Sequence, residues 1–168
     1  MTMRKAGMAK RSADDRWAAL ALAAAVVAAR DMVGPDGPVR TDAPVGRLGT
    51  DEWSWLVTPA IAAWIQTRAE QAATEGWNEE RTIRATGLDP DPWFAGAVAA
   101  ILPKLPDACP GLDWSKPIIE WSKDEIVEFL STAIVLARRA VAARNVVEER
   151  HAGKLEAVDT LLEELPPF

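Results

Sequence analysis

The chain has 168 residues, 49% of them apolar and 26% charged, a composition that suits one buried core and excludes a disordered polymer. Its formal net charge of −6 sets the average surface against phosphate, so composition argues against sequence-independent nucleic-acid binding. The single cysteine, Cys109, and the single histidine, His151, leave no intramolecular disulfide and no His- or Cys-built zinc or transition-metal site.

Residues 1–11 carry Arg4, Lys5, Lys10 and Arg11 and read as a flexible basic arm, with residues 12–168 as one helical domain. Ser12 and Asp15 make an imperfect capping box, and no Gly or Pro occurs from Ala13 to about Met32, which predicts the first helix. Its centre, Trp17 to Ala29, is apolar on every side and is expected to form the middle of the bundle. Basic residues before an apolar run also have the outline of a secretory signal. Asp14 and Asp15 interrupt that outline, and about 13 apolar residues are too few to span a bilayer, so a buried helix is the simpler expectation.

The stretch from Gly34 to Gly49 combines Pro, Gly and Asp without apolar periodicity and predicts a long irregular connection. Thr50, Asp51 and Glu52 open a short helical turn bearing Trp53 and Trp55. Thr58 and Pro59 then read as an N-cap and first-turn proline of a new helix reaching Glu75, with Gly76 as its stop and Trp64 pointing inward. A short helix from Asn78 to Thr86 ends at Gly87, and Asp91 with Pro92 opens another that runs to about Leu102. Pro103 to Pro117 reads as a second irregular stretch, holding Cys109 and Trp114.

Ser122 and Glu125 form a full capping box, the most specific helix start in the chain. A long helix follows, with Ile126, Leu130, Ala133, Ala137 and Ala140 near one seam and Val127, Ile134 and Val141 beside it. Continued to His151 it would span about 45 Å at 1.5 Å per residue. Gly153 is expected to bend or end it. Leu155, Val158, Leu161, Leu162 and Leu165 then line an amphipathic C-terminal helix with an acidic face. Neither a 20–50-residue repeat nor strand alternation is evident. The expectation is an all-α, single-domain bundle of about five to six helices with a long C-terminal helix or helix pair and no sheet.

Residues 79–105 have the outline of a helix-turn-helix, with Ile83, Gly87 and Leu88 at the packing, turn and anchor positions. The recognition helix would be Trp93 to Ile101, which holds no Arg, Lys, Asn or Gln to read base edges, while Asp89 and Asp91 would face phosphate. A structural hairpin uses the same turn chemistry. Arg138, Arg139 and Arg144 lie among acids on one helix, the pattern of a solvated, charge-laced face.

Eight Trp with no Tyr is the compositional oddity. Trp17, Trp64 and Trp121 sit at helical spacing and are expected in the core, whereas Trp53, Trp55, Trp77, Trp93 and Trp114 lie at helix starts or in loops. Paired acids such as Asp51 and Glu52, Glu79 and Glu80, or Asp124 and Glu125 occupy first-turn positions, where they stabilise the helix dipole without implying catalysis. His151 and Cys109 have no evident catalytic partner, and no phosphate loop, nucleophile elbow or zinc-protease motif is present. No catalytic, metal or cofactor residue is therefore assigned.

The alanine content and the preference for Arg over Lys are those of a bacterium with a GC-rich genome. The leading expectation is a cytoplasmic, non-catalytic helical protein acting through another protein as an adaptor, regulator or assembly component. Its partner surface would draw on Trp53, Trp55, Trp93, Leu155, Val158, Leu162 and Leu165. A homodimer through the two C-terminal helices is one form of that partner; nucleic acid and membrane are not expected. The alternatives are a helix-turn-helix DNA-binding regulator using residues 79–105, or a small helical enzyme built on His151 or Cys109.

Overall fold

In the computed structural model, residues 2–78, 80–82 and 93–163 are described, with side chains over 15–78, 80–82 and 96–144. Among the described residues the α-helices are α1 (Thr2–Asp31), α2 (Thr50–Thr74), α3 (Trp93–Ile101), the one-turn α4 (Leu105–Ala108) and α5 (Lys123–Glu163), with further helical residues at 80–82. Three 3-10 turns, Val45–Arg47, Leu102–Lys104 and Ile118–Glu120, link them. The fold is all-α: among the described residues there is no sheet, and only an isolated antiparallel bridge joins Pro44 to Pro117.

α1 begins at Thr2, so the stretch expected as an arm continues the helix. Its Ala, Arg, Lys and Met are strong helix formers, and Gly7 alone opposes them. The expectation that α1 forms the middle of the bundle is corrected. Its buried stripe is Ala21, Ala25 and Ala29, one residue per turn, packed mainly on α2. Leu20 and Val27 point outward, 47% and 58% exposed. Alanines bring two helix backbones close but cover only a narrow strip, so the opposite face of α1 stays in water.

The middle is supplied by α2 and the first half of α5. Gly49 precedes α2, and its N–H donates to Glu52 Oε2 at 2.8 Å, which satisfies one free amide at the helix start. The expected break at Thr58 and Pro59 does not occur: α2 is one helix with Pro59 inside it. An interior proline costs about 3 kcal/mol. Leu56, Val57, Ala60, Ile61 and Trp64 flank it and are all buried, and each large apolar side chain contributes about 1.5–3 kcal/mol, so burial outweighs the lost hydrogen bond. α2 ends as the sequence predicts. Gly76 adopts φ +63°, and Trp77 N–H donates to Ala72 O at 2.8 Å while Gly76 N–H donates to Ala73 O at 3.3 Å, the paired bonds of a Schellman stop.

α3 buries Ala97, Val98 and Ile101 against α5. The stretch after it is more ordered than expected, because Pro103 and Pro106 fall in the first turns of the 3-10 segment and of α4, where a missing N–H costs nothing. Leu105 is thereby fully buried.

α5 starts on the predicted capping box: Ser122 N–H donates to Glu125 Oε2 at 2.7 Å, and Glu125 N–H to Ser122 Oγ at 3.2 Å. It then runs unbroken for 41 residues, about 62 Å at 1.5 Å per residue. Gly153 does not end it, since one interior glycine costs only about 1 kcal/mol. Phe129, Leu130, Ala133, Ile134 and Ala137 form its buried face.

Both long connections are fastened down. Val45 N–H donates to Lys116 O and Gly46 N–H to Trp114 O, each at 2.9 Å, so the two loops pair with each other. Arg40 forks onto Glu52, Nε to Oε1 at 2.8 Å and Nη2 to Oε2 at 2.7 Å, tying the first loop to the start of α2.

Candidate interaction surfaces

Of the expected partner residues, Trp53 and Trp55 are the two whose side chains are described, and they part, one buried and one exposed. Trp53 is a correction: it is buried, 9% exposed, in an aromatic cluster with Trp114, Trp121 and Phe129. Ring centroids there lie 5.4–6.3 Å apart in tilted and edge-on pairs. The indole N–H of Trp114 donates to Cys109 O and that of Trp121 to Asp113 O, each at 3.2 Å, so these two rings also hold the 109–117 loop. Trp55, two residues along α2, is 53% exposed. Trp93 opens α3, and Leu155, Val158 and Leu162 lie in the last part of α5, but their side chains fall outside the described ones; Leu165 lies outside the described residues altogether. Of the other indoles, Trp64 and Trp121 are buried as expected and Trp17 is partly buried.

A second aromatic group gathers arginines. The Arg68 guanidinium lies 6.0 Å from the Trp64 ring and 5.9 Å from that of Trp77, with Arg81 4.2 Å from Trp77 and Arg138 5.7 Å from Trp64. Such contacts contribute about 0.5–1 kcal/mol each at exposed positions. They stack the chain after α2 on the helix end, helped by Trp77 Nε1–H donating to Glu75 Oε2 at 2.9 Å. Asn78 caps the turn at 80–82 by accepting from Arg81 N–H at 2.9 Å. Most of the helix-turn-helix outline, Ile83 to Pro92 with Gly87 and Leu88, lies outside the described residues. Its recognition helix corresponds to α3, whose described exposed positions are Gly96, Ala99 and Ala100, none with a hydrogen-bonding side chain.

An apolar cleft of about 280 Å³ opens between the end of α1 and the start of α5. Val26, Ala29 and Val33 form one wall, and Ile118, Ile119, Trp121 and Ile126 the other. Among the described residues Arg30 is the one charged residue lining it. Ile119 is 62% exposed, the most open large apolar side chain among the described residues, while its neighbour Ile118 is buried. Sequence reading passed over this cleft because its walls are distant in the chain. The signal it did contain is the pair Ile118-Ile119 on a single tight turn, of which the turn can bury only one. Another recess, about 320 Å³ beside Trp53 and Leu102, has no charged residue among its described lining residues to orient a ligand.

The shifted ionisable groups have structural explanations. Hydrogen bonds from Arg40 and from Gly49 N–H hold Glu52 at about 2, well below the carboxylate range. Asp113 is lowered by accepting from Ser115, and Glu125 by accepting from Ser122. Burial pushes the Cys109 thiol up, away from nucleophilic thiolate. The His151 side chain lies outside the described ones. Among the described residues no group of three or more His, Cys, Asp or Glu is placed to hold a metal ion, and no helix is long and apolar enough to cross a membrane. Compared with protein-family models, with curated proteins and with solved structures, the chain matches none.

Proposed function

We propose that this is a cytoplasmic, non-catalytic helical protein that acts by binding another protein, as an adaptor, regulator or assembly component, through the cleft between α1 and α5. The supporting observation is the cleft itself: an apolar trough walled by Trp121, with Ile119 standing 62% exposed at its side and Arg30 as the lone charge among its described lining residues. An exposed isoleucine beside an indole costs solubility and adds nothing to the core. Covered by a partner, the same side chains would contribute about 1.5–3 kcal/mol each. The partner that fits is a protein segment with an apolar anchor for the trough and a nearby carboxylate for Arg30, the arrangement of an interaction hot spot.

The test is affinity capture with the wild-type chain and with Ile119→Asp, with and without nuclease, followed by titration of the recovered protein in purified form. The reading expects a nuclease-resistant partner whose purified affinity falls at least tenfold with Ile119→Asp and weakens with Arg30→Glu. Equal binding by wild type and both variants would overturn it, as would recovery of nucleic acid alone, which would favour the duplex-binding alternative. Ile119 and Arg30 are exposed, so neither substitution disturbs the core.

A further inference from the structure

Among the described residues nothing covers the outer face of α1. Between Arg16 and Arg30 the helix holds no charged residue, and its buried stripe of Ala21, Ala25 and Ala29 occupies only one side. On the other side Leu20 and Val27 are 47% and 58% exposed, with Ala23 exposed between them. Arg16 and Asp31, both exposed, bracket this strip, and among the described residues neither has an ion-pair partner. At 3.6 residues per turn, positions 16, 20, 23, 27 and 31 fall within roughly 80° of one another.

The order along the strip is its own complement when reversed. Positions 20 and 27, like 16 and 31, are symmetric about the midpoint of Ala23 and Ala24. Two such helices laid antiparallel about a two-fold axis at that midpoint set each Leu20 against the other copy's Val27, and each Arg16 against the other copy's Asp31. Isologous packing requires this: a patch that matches itself after a half turn. The alanines at the centre allow close approach, near the short end of the roughly 8–10 Å range of helix-pair distances.

We propose that the occupant of this face is a second copy of the chain, and that α1 pairs with α1 in an antiparallel homodimer. Charge complementarity selects the copy over an unrelated partner, because the strip ends in opposite charges at equal distances from its centre. The interface is short, about 22 Å from Arg16 to Asp31, so the dimer is concentration-dependent rather than obligate. Its arc on α1 adjoins the cleft wall without sharing a residue with it, and it does not depend on the cleft reading.

Sedimentation equilibrium of the full chain tests it. Wild type should dimerise in the micromolar range. Arg16→Glu sets like charges together at both ends, and so does Asp31→Arg, and each should weaken the dimer tenfold or more. Mixed in equal amounts, the two variants should recover it as a heterodimer, since each supplies the charge the other lacks. Leu20→Glu should abolish association, whereas Ile119→Asp should leave it unchanged. A wild-type chain that stays monomeric to about 500 μM, well above the micromolar range, would overturn the proposal. So would a dimer indifferent to Arg16→Glu, or a mixture no better than its components. Circular dichroism checks that these exposed substitutions leave the helices intact.

Discussion

Phe129→Ala is the most informative perturbation of the core, because the ring is the meeting point of three tryptophans. Phe129 is 2% exposed, with its centroid 5.5 Å from Trp53, 5.6 Å from Trp121 and 6.3 Å from Trp114. Truncating a buried Phe costs about 3–5 kcal/mol, depending on how far the surroundings collapse into the space. Collapse is hindered here, since the indoles of Trp114 and Trp121 are held by hydrogen bonds to Cys109 O and Asp113 O. The expected cost therefore lies at the upper end, about 4–5 kcal/mol, or a fall in Tm of about 10 °C or more for a chain of this length. Phe129→Leu keeps most of the volume and loses the ring contacts, each contributing about 0.5–1.5 kcal/mol beyond area, so its cost should be about half as large. Urea unfolding followed by both tryptophan fluorescence and far-ultraviolet circular dichroism measures the two. A Phe129→Ala cost below about 1.5 kcal/mol would refute a tightly held aromatic centre, as would a Leu variant no better than Ala.

Glu52→Gln tests the clamp between the first long loop and α2. Glu52 is held at about 2 against an ordinary 4.5, so its stabilisation is complete above about pH 5 and is lost as pH falls through 4.5 toward 2. The stability gap between wild type and Glu52→Gln should be level from pH 5 to 8 and close on acidification; a gap that persists at pH 2 would contradict the assignment. Ser122→Ala removes the acceptor for Glu125 N–H and should cost about 1 kcal/mol in denaturant unfolding, with no change expected in partner binding. Cys109 is fully buried with its thiol pushed up by burial, so at pH 8 a thiol reagent should label the chain only as fast as it unfolds. Immediate stoichiometric labelling of the native protein would show that the loop opens.

The start of α5 and the end of α2 were legible because their chemistry is local. Ser122 and Glu125 reach each other across one turn, and Gly76 has the positive φ that a Schellman stop demands. Pro59 misled for the converse reason. Its local preference is to start a helix, but the apolar side chains on both sides of it gain more from burial in one continuous helix than the proline costs. Pro103 and Pro106 read as breakers because residue type alone cannot show that each falls in a first turn. The loops read as loose because the bonds that hold them, Val45 to Lys116 and Gly46 to Trp114, join segments about 70 residues apart.

The surfaces were legible only in part, and helix geometry shows where the limit lies. Trp53 and Trp55 both read from the sequence as partner-surface residues, yet on one helix residues two apart point about 200° from each other. The sequence could therefore show that one is buried and the other exposed, but not which, since that depends on where Phe129 and Trp114 arrive from far along the chain. α1 poses the same problem on a larger scale. An all-apolar segment conceals the face it will bury, and the arrangement of Arg16, Leu20, Val27 and Asp31 about one centre has meaning only once α2 has taken the side bearing Ala21, Ala25 and Ala29. What tertiary packing adds at such a site is a choice of face, and the choice turns an apolar run into two distinct surfaces, one spent on the core and one left for a partner.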